Sequence, residues 1–167
     1  MRKRGPMLVL PGLALMSLTL GFTGSVPRAF HFRPSAGTQL HRLWEGSVGA
    51  KAEQVACLSA NIAGDTVEIY NVLPLAPSRS DSMGVSAAAS LETCGPPRWQ
   101  GTVHTHVALR DGLRPYSLFS GADRGIMMMW WRQWGVDGLF CLLYSDKDVL
   151  CEIQGPESAV IFPRSHY

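Results

Sequence analysis

The stretch GTVHTHVALRDGLRPYSLFSGAD, residues 101–123, gathers the side chains best suited to chemistry. His104 and His106 stand in a run of β-type residues, and side chains two positions apart on a strand point to the same face. Both imidazoles can then reach one cation. Ser120 and Asp123 are i and i+3 at the start of a helical pattern, where they too share a face. With the strand packed beside the helix start, two histidines and one aspartate make a three-ligand metal set. A fourth position stays open for water, the arrangement of a catalytic rather than a structural zinc site. Such a site needs a base that takes a proton from the metal-bound water and a donor that steadies the developing oxyanion. Ser120 is the candidate donor; Ser117 is a substitute that lacks the i+3 link to Asp123. The base should be a nearby carboxylate that is not itself a ligand. A plainer reading sets beside this an unrelated histidine pair on a strand and a serine that only caps a helix. A third makes the metal structural, with a fourth protein ligand closing the site.

Those residues need elements to hold them. GTVHTHVAL (101–109) reads as a buried strand, and RDGLRPYSLF (110–119) as a loop marked by Gly112 and Pro115. SGADRGIMMMWWRQWG (120–135) predicts a helix with Ser120 as N-cap, Asp123 in the first turn and Gly135 at its end. Upstream, Leu40, Leu43 and Trp44 lie at helical spacing in TQLHRLWEGSVGA. EQVACLSANIAGDTVEIYNVLPL makes a hairpin around AGD. Residues 76–98 are rich in Ser, Ala, Gly and Pro, with a candidate helix in SMGVSAAASLETCG. VDGLFCLLYSDKDVLCEIQG supplies the last hairpin. This order describes one mixed α/β (α+β) domain over residues 38–167, without internal repeats.

The chain has 167 residues, of which 17% are charged and 46% hydrophobic, a balance that argues against disorder. Its net charge is +2, yet Arg2, Lys3 and Arg4 carry three of the fifteen positive residues, and without them 12 basic face 13 acidic ones. No basic stripe remains for nucleic acid. MRKRGP followed by the apolar run Met7–Phe22 and TGS reads as an export signal over 1–25, or as an uncleaved membrane anchor. The run falls short of the roughly 20 residues of a spanning helix, and Pro11 and Gly12 interrupt it. A misleading start on a cytosolic protein is the remaining alternative. Residues 26–37, with two prolines and no periodicity, read as a linker. Cys57, Cys94, Cys141 and Cys151 form no CxxC pair and fit an oxidising compartment. Cys141 and Cys151 would face each other across a hairpin centred near Asp146, as a disulfide or as two buried thiols.

His-Thr-His on a strand followed by Ser-x-x-Asp opening a helix resembles the signature of the JAMM (MPN-plus) zinc metalloproteases. That family also carries a glutamate at the start of the first hairpin, in a pattern like E-x-x-x-x-L, which Glu53 and Leu58 match here. The resemblance covers about residues 38–154. It implies a JAMM/MPN-like (cytidine-deaminase-like) fold, with zinc held by His104, His106 and Asp123. It further implies Glu53 as general acid/base through the zinc-bound water, Ser120 as oxyanion donor, and a peptide or isopeptide bond in a peptide or protein substrate. Departures are Val107 where the family has proline, a longer spacing from His106 to Ser120, and SAN in place of a glycine after the E-x-x-x-x-L stretch. These bear on substrate specificity more than on the ligands.

Other features are plainer. Asp65 and Glu68 suit a turn and an exposed strand face, and MMMWWRQW (127–134) a helix packing into the core, with a partner or membrane contact as the alternative. His31, His41 and His166 have no companion at ligand spacing. A zinc deaminase is disfavoured because its H-x-E and P-C-x-x-C pair is missing. The principal alternative to a hydrolase is a non-catalytic MPN-like binding or scaffold domain.

Overall fold

The computed structural model describes residues 26–167 except 77–79, 82–83, 86 and 111, so the leader read over 1–25 lies outside the described residues. The order is β1 (Ala29–Phe32), α1 (Pro34–Ala50), β2 (Val55–Ala63), β3 (Thr66–Pro74), β4 (Ser80–Asp81), β5 (Gly84–Val85) and α2 (Ala87–Thr93). There follow β6 (Gly101–Thr105), β7 (Leu109–Arg110), β8 (Arg114–Pro115), α3 (Gly121–Trp134), β9 (Gly138–Leu143), β10 (Asp148–Gln154), β11 (Ala159–Ile161) and β12 (Ser165–His166). The chain is mixed α/β, built on one sheet of order β1-β3-β2-β6-β9-β10-β11, with β12 also paired to β10.

Period-two alternation on the central strands gives the sheet two apolar faces. Ala56, Leu58, Val103, Cys141, Leu143, Val149 and Cys151 join Leu40 and Leu43 of α1 in one core cluster. Cys57, Phe140, Leu142 and Leu150 join Leu91 of α2 and Met127 and Trp130 of α3 in another. A sheet covered on both faces reads as continuous apolar runs, which is the character of GLFCLL in β9, buried throughout. Each face also carries a disulfide: Cys141–Cys151 on the α1 side, at a directly paired position of β9 and β10, and Cys57–Cys94 on the other. Of the two states open to Cys141 and Cys151, the disulfide is the one adopted.

The linker reading of residues 26–37 does not hold. AFHF forms β1, parallel to β3, and Phe32 is buried while Phe30 packs edge-on against Phe32 and Phe162. The prolines misled because one of them begins a helix: Pro34 occupies the first turn of α1, where its missing N–H costs nothing. The strand expected over 101–109 stops at Thr105, and the loop expected over 110–119 contributes to a short antiparallel ribbon, β7–β8. Elsewhere the expected helix, hairpin, helix and hairpin are present, with α1 starting earlier than TQLHRLWEGSVGA.

The sheet's mixed direction sets the site. β6 runs parallel to β9 and antiparallel to β2. The carboxyl ends of β6 and β9 therefore lie at the same sheet end as the start of β2. Crevices outside strand carboxyl ends are where open α/β sheets bind ligands. α3 begins at that end, and its first turn is pinned to the sheet by an ion pair. Arg124 donates through both terminal nitrogens to Glu152 of β10, the second contact at 2.9 Å, and the carboxylate is buried.

Candidate metal centre

His104 lies on β6 on the α2/α3 face, since its neighbours Val103 and Thr105 turn towards α1. His106 lies just past the strand, but its N–H still donates to the Leu143 carbonyl at 2.8 Å, which prolongs the alternation by one step. The imidazoles meet as the spacing predicted: their Nε2 atoms are 3.2 Å apart. Asp123 comes to them from α3. Its Oδ1 is 3.3 Å from His104 Nε2 and its Oδ2 is 3.5 Å from His106 Nε2.

These spacings have a simple metric meaning. Tetrahedral zinc with bonds of about 2.0–2.1 Å places its ligand atoms about 3.3–3.4 Å from one another. The His104–His106 contact is close to that edge length, Asp123 turns one oxygen to each imidazole, and one donor atom from each of the three lies within 4.8 Å of the others, so His104, His106 and Asp123 can hold a metal ion. The donor set, two imidazole nitrogens and one carboxylate oxygen, is the borderline N/O chemistry that suits zinc and other late first-row cations.

Two of the three side chains are oriented by a neighbour. His106 Nδ1 lies 2.9 Å from the Tyr116 carbonyl. A carbonyl only accepts, so Nδ1 carries the proton and Nε2 is left with its lone pair towards the centre, the usual outer-shell device at metal-binding histidines. Asp123 is fixed by a capping box: its N–H donates to Ser120 Oγ at 3.2 Å, and its Oδ2 accepts from the Ser120 N–H at 2.6 Å. Ser120, expected as N-cap and oxyanion donor, therefore orients the aspartate with its backbone and keeps its own hydroxyl hydrogen free to donate. Ser117 lies away from this bond network, within 3.2 Å of Arg164.

Glu53 is buried, with Oε1 3.9 Å from His106 Nε2. Register explains the meeting: Val55 pairs with His104, and two further residues along that antiparallel pair set Glu53 beside His106. The turn that carries it is clamped by Thr105. Thr105 Oγ1 accepts from the Gln54 N–H at 2.9 Å and shares a hydrogen with Ser47 Oγ of α1 at 2.5 Å, while the Thr105 N–H donates to the Gln54 carbonyl at 3.0 Å. The carboxylate thus joins the site at its edge and stays outside the close triad.

Charge follows geometry. Burial opposes the charged form of His106, but the bond to Asp123, the fields of Glu53 and Asp123 and the Tyr116 carbonyl outweigh it and raise its pKa. Burial likewise opposes the Asp123 carboxylate, yet the imidazoles of His104 and His106, the latter donating from Nε2 only in its charged form, and the Ser120 N–H hold it well below the usual range. Sequence reasoning missed Thr105, Ser47, Arg124 and Glu152. Glu152 carried a signal of its own, a lone acid inside the apolar run VLCEI. Comparison with protein-family models and with curated proteins finds no match to this chain. What the site can do is therefore set by its own donors and their spacing.

Two outcomes are expected. Metal binding needs the neutral imidazole, and the His106 pKa lies above the ordinary 6.5, so protons begin to displace the metal above that pH as the solution is acidified. Zinc affinity measured against a competing chelator should fall from neutral pH downward; an affinity flat through that range would contradict the account. Thr105→Val leaves the Gln54 N–H and the Ser47 hydroxyl without their partner, which costs about 1–3 kcal/mol. A wild-type urea midpoint in that variant would show that the clamp contributes nothing.

Proposed function

We propose that the chain is a zinc-dependent hydrolase of the JAMM type, with a JAMM/MPN-like fold, that cleaves a peptide or isopeptide amide bond. The observation that carries this reading is the convergence of His104, His106 and Asp123, whose donor atoms lie within 4.8 Å of one another, with the Glu53 carboxylate against the same cluster. Three protein ligands leave a coordination place open, as catalytic zinc sites do. The succession of helix, hairpin, His-x-His strand and Ser-x-x-Asp helix lends further support.

His104, His106 and Asp123 would hold the ion, and zinc bound there supplies Lewis acidity that makes water nucleophilic near neutral pH. The rest falls to the chain. Glu53 takes a proton from the attacking water and returns it to the amine nitrogen as the carbon–nitrogen bond breaks. The Ser120 hydroxyl donates to the oxygen that gains charge at the carbonyl. Tyr116 keeps the His106 tautomer fixed through the cycle. Water supplies the oxygen of the new carboxylate, and the products are an acid and an amine.

Two disulfides among the described residues are compatible with a protein that leaves the cytosol. We extend the proposal to an exported or membrane-tethered enzyme, by the apolar run Met7–Phe22. No helix among the described residues is long and apolar enough to cross a membrane.

Glu53→Gln separates catalysis from metal binding. The variant should bind zinc as the wild type does and lose turnover by at least about a hundredfold, the scale of general acid–base catalysis. Full hydrolysis by that variant would remove Glu53 from the mechanism. Zinc binding with no hydrolysis by the wild type of any peptide or isopeptide substrate would favour a binding domain of the same shape.

A further inference from the structure

A small cavity of about 40 Å³ adjoins the metal centre on the α2/α3 face of the sheet. Strand register builds its floor. Val55 pairs directly with His104 across β2 and β6, and Phe140 pairs with Thr102 across β6 and β9, so all four side chains share this face. Phe119, from the loop before α3, and Met127 of α3 complete the walls. Val55, Thr102, Phe119, Met127 and Phe140 are all buried. Among the described residues, those of the lining that reach the surface are His104, Asp123 and Ile126. The cavity therefore meets solvent where two of the three candidate ligands stand, their facing atoms 3.3 Å apart. A mostly apolar recess with its polar groups gathered at one place is the usual build of a ligand site.

We infer that this cavity receives a small aliphatic side chain, of alanine to valine size, on a substrate residue flanking the bond broken at the centre. This rests on the hydrolase reading. Continuity selects the occupant: a substrate with its amide at His104, His106 and Asp123 has the cavity mouth beside its reacting carbon. Volume sets the size. One water needs about 10–15 Å³ of such space, and a cavity of about 150 Å³ holds benzene. The space here suits a group of a few heavy atoms and excludes an aromatic ring. Burial without a partner is costly for a charged group, which disfavours aspartate and glutamate. Met127 at the wall and Ile126 at the mouth are then the residues that set the size limit.

The test titrates the zinc-loaded protein with acetyl, isobutyryl and benzoyl hydroxamates by calorimetry, since the hydroxamate group chelates zinc and leaves the acyl substituent to sample the cavity. The wild type should bind the isobutyryl compound about tenfold or more tightly than the acetyl one, the worth of added carbons in an apolar pocket. The benzoyl compound should lose that gain. Met127→Ala enlarges the cavity and should move the optimum to benzoyl. Ile126→Phe, at a partly exposed position, should bring isobutyryl binding down to the acetyl level with zinc content unchanged. Peptide cleavage should follow the same order, with Ala or Val preferred over Phe at one position beside the broken bond. A flat hydroxamate series in the wild type, a series that neither variant alters, or a preference for Phe would overturn the inference while sparing the hydrolase. A folded protein that takes up no zinc would instead sink the hydrolase reading, and the inference with it, an outcome read from metal content before any hydroxamate is added.

Discussion

Two imidazoles and a carboxylate crowded within 3.5 Å of one another at the edge of an apolar core cannot be left without partners. Removing such groups from water is costly unless hydrogen bonds or charges answer them. Much of the local structure is that answer. A capping box holds Asp123, a carbonyl holds His106, and a threonine clamps the turn that carries Glu53. The fold supplies these partners from four separate segments, the α1–β2 turn, β6, the loop before α3 and the first turn of α3. The cluster therefore exists only when the sheet is assembled in its observed register. A slip of one residue between β2 and β6 would turn their side chains to opposite faces and separate Glu53 from His106.

The two faces of the sheet divide the labour. On the α1 side the core is almost wholly apolar, and its polar exceptions, Ser47 and Thr105, satisfy each other. On the α3 side the sheet carries His104, and Arg124 with Glu152 ties the helix start down next to the aspartate that faces it. Arg124 also stacks over Phe119, whose ring lies near His104. The helix that positions Asp123 is thus anchored at its N-terminal turn, where its dipole also favours a carboxylate. Disulfides on both faces add covalent restraint to a chain of modest size.

Much of this was legible from the residues alone, for identifiable reasons. The histidine pair and the Ser-x-x-Asp start are local patterns whose geometry is fixed by strand and helix periods, so the triad could be foreseen. Gly135, at φ 66°, ends α3 where the sequence placed the stop. The hairpin around AGD followed from turn chemistry, which also set Cys141 opposite Cys151 while leaving open whether they bond. What stayed hidden depends on tertiary register. Nothing local to Thr105 tells that it reaches back to Gln54 and Ser47. The linker reading failed because Pro34 starts a helix rather than breaking one. The β7–β8 ribbon stayed hidden because two-residue strands carry no period to detect. Glu152 was readable as an anomaly, an acid in a buried strand, although its partner was not.

The proposed activity stands on the metal. Its most direct test is the zinc content of the purified protein, measured by atomic absorption beside a His104→Ala/His106→Ala variant. One zinc per chain, lost in the variant while the fold persists, is the result the proposal predicts. A folded wild type that takes up no zinc when offered it, or a variant that binds it equally well, would contradict the assignment of the site.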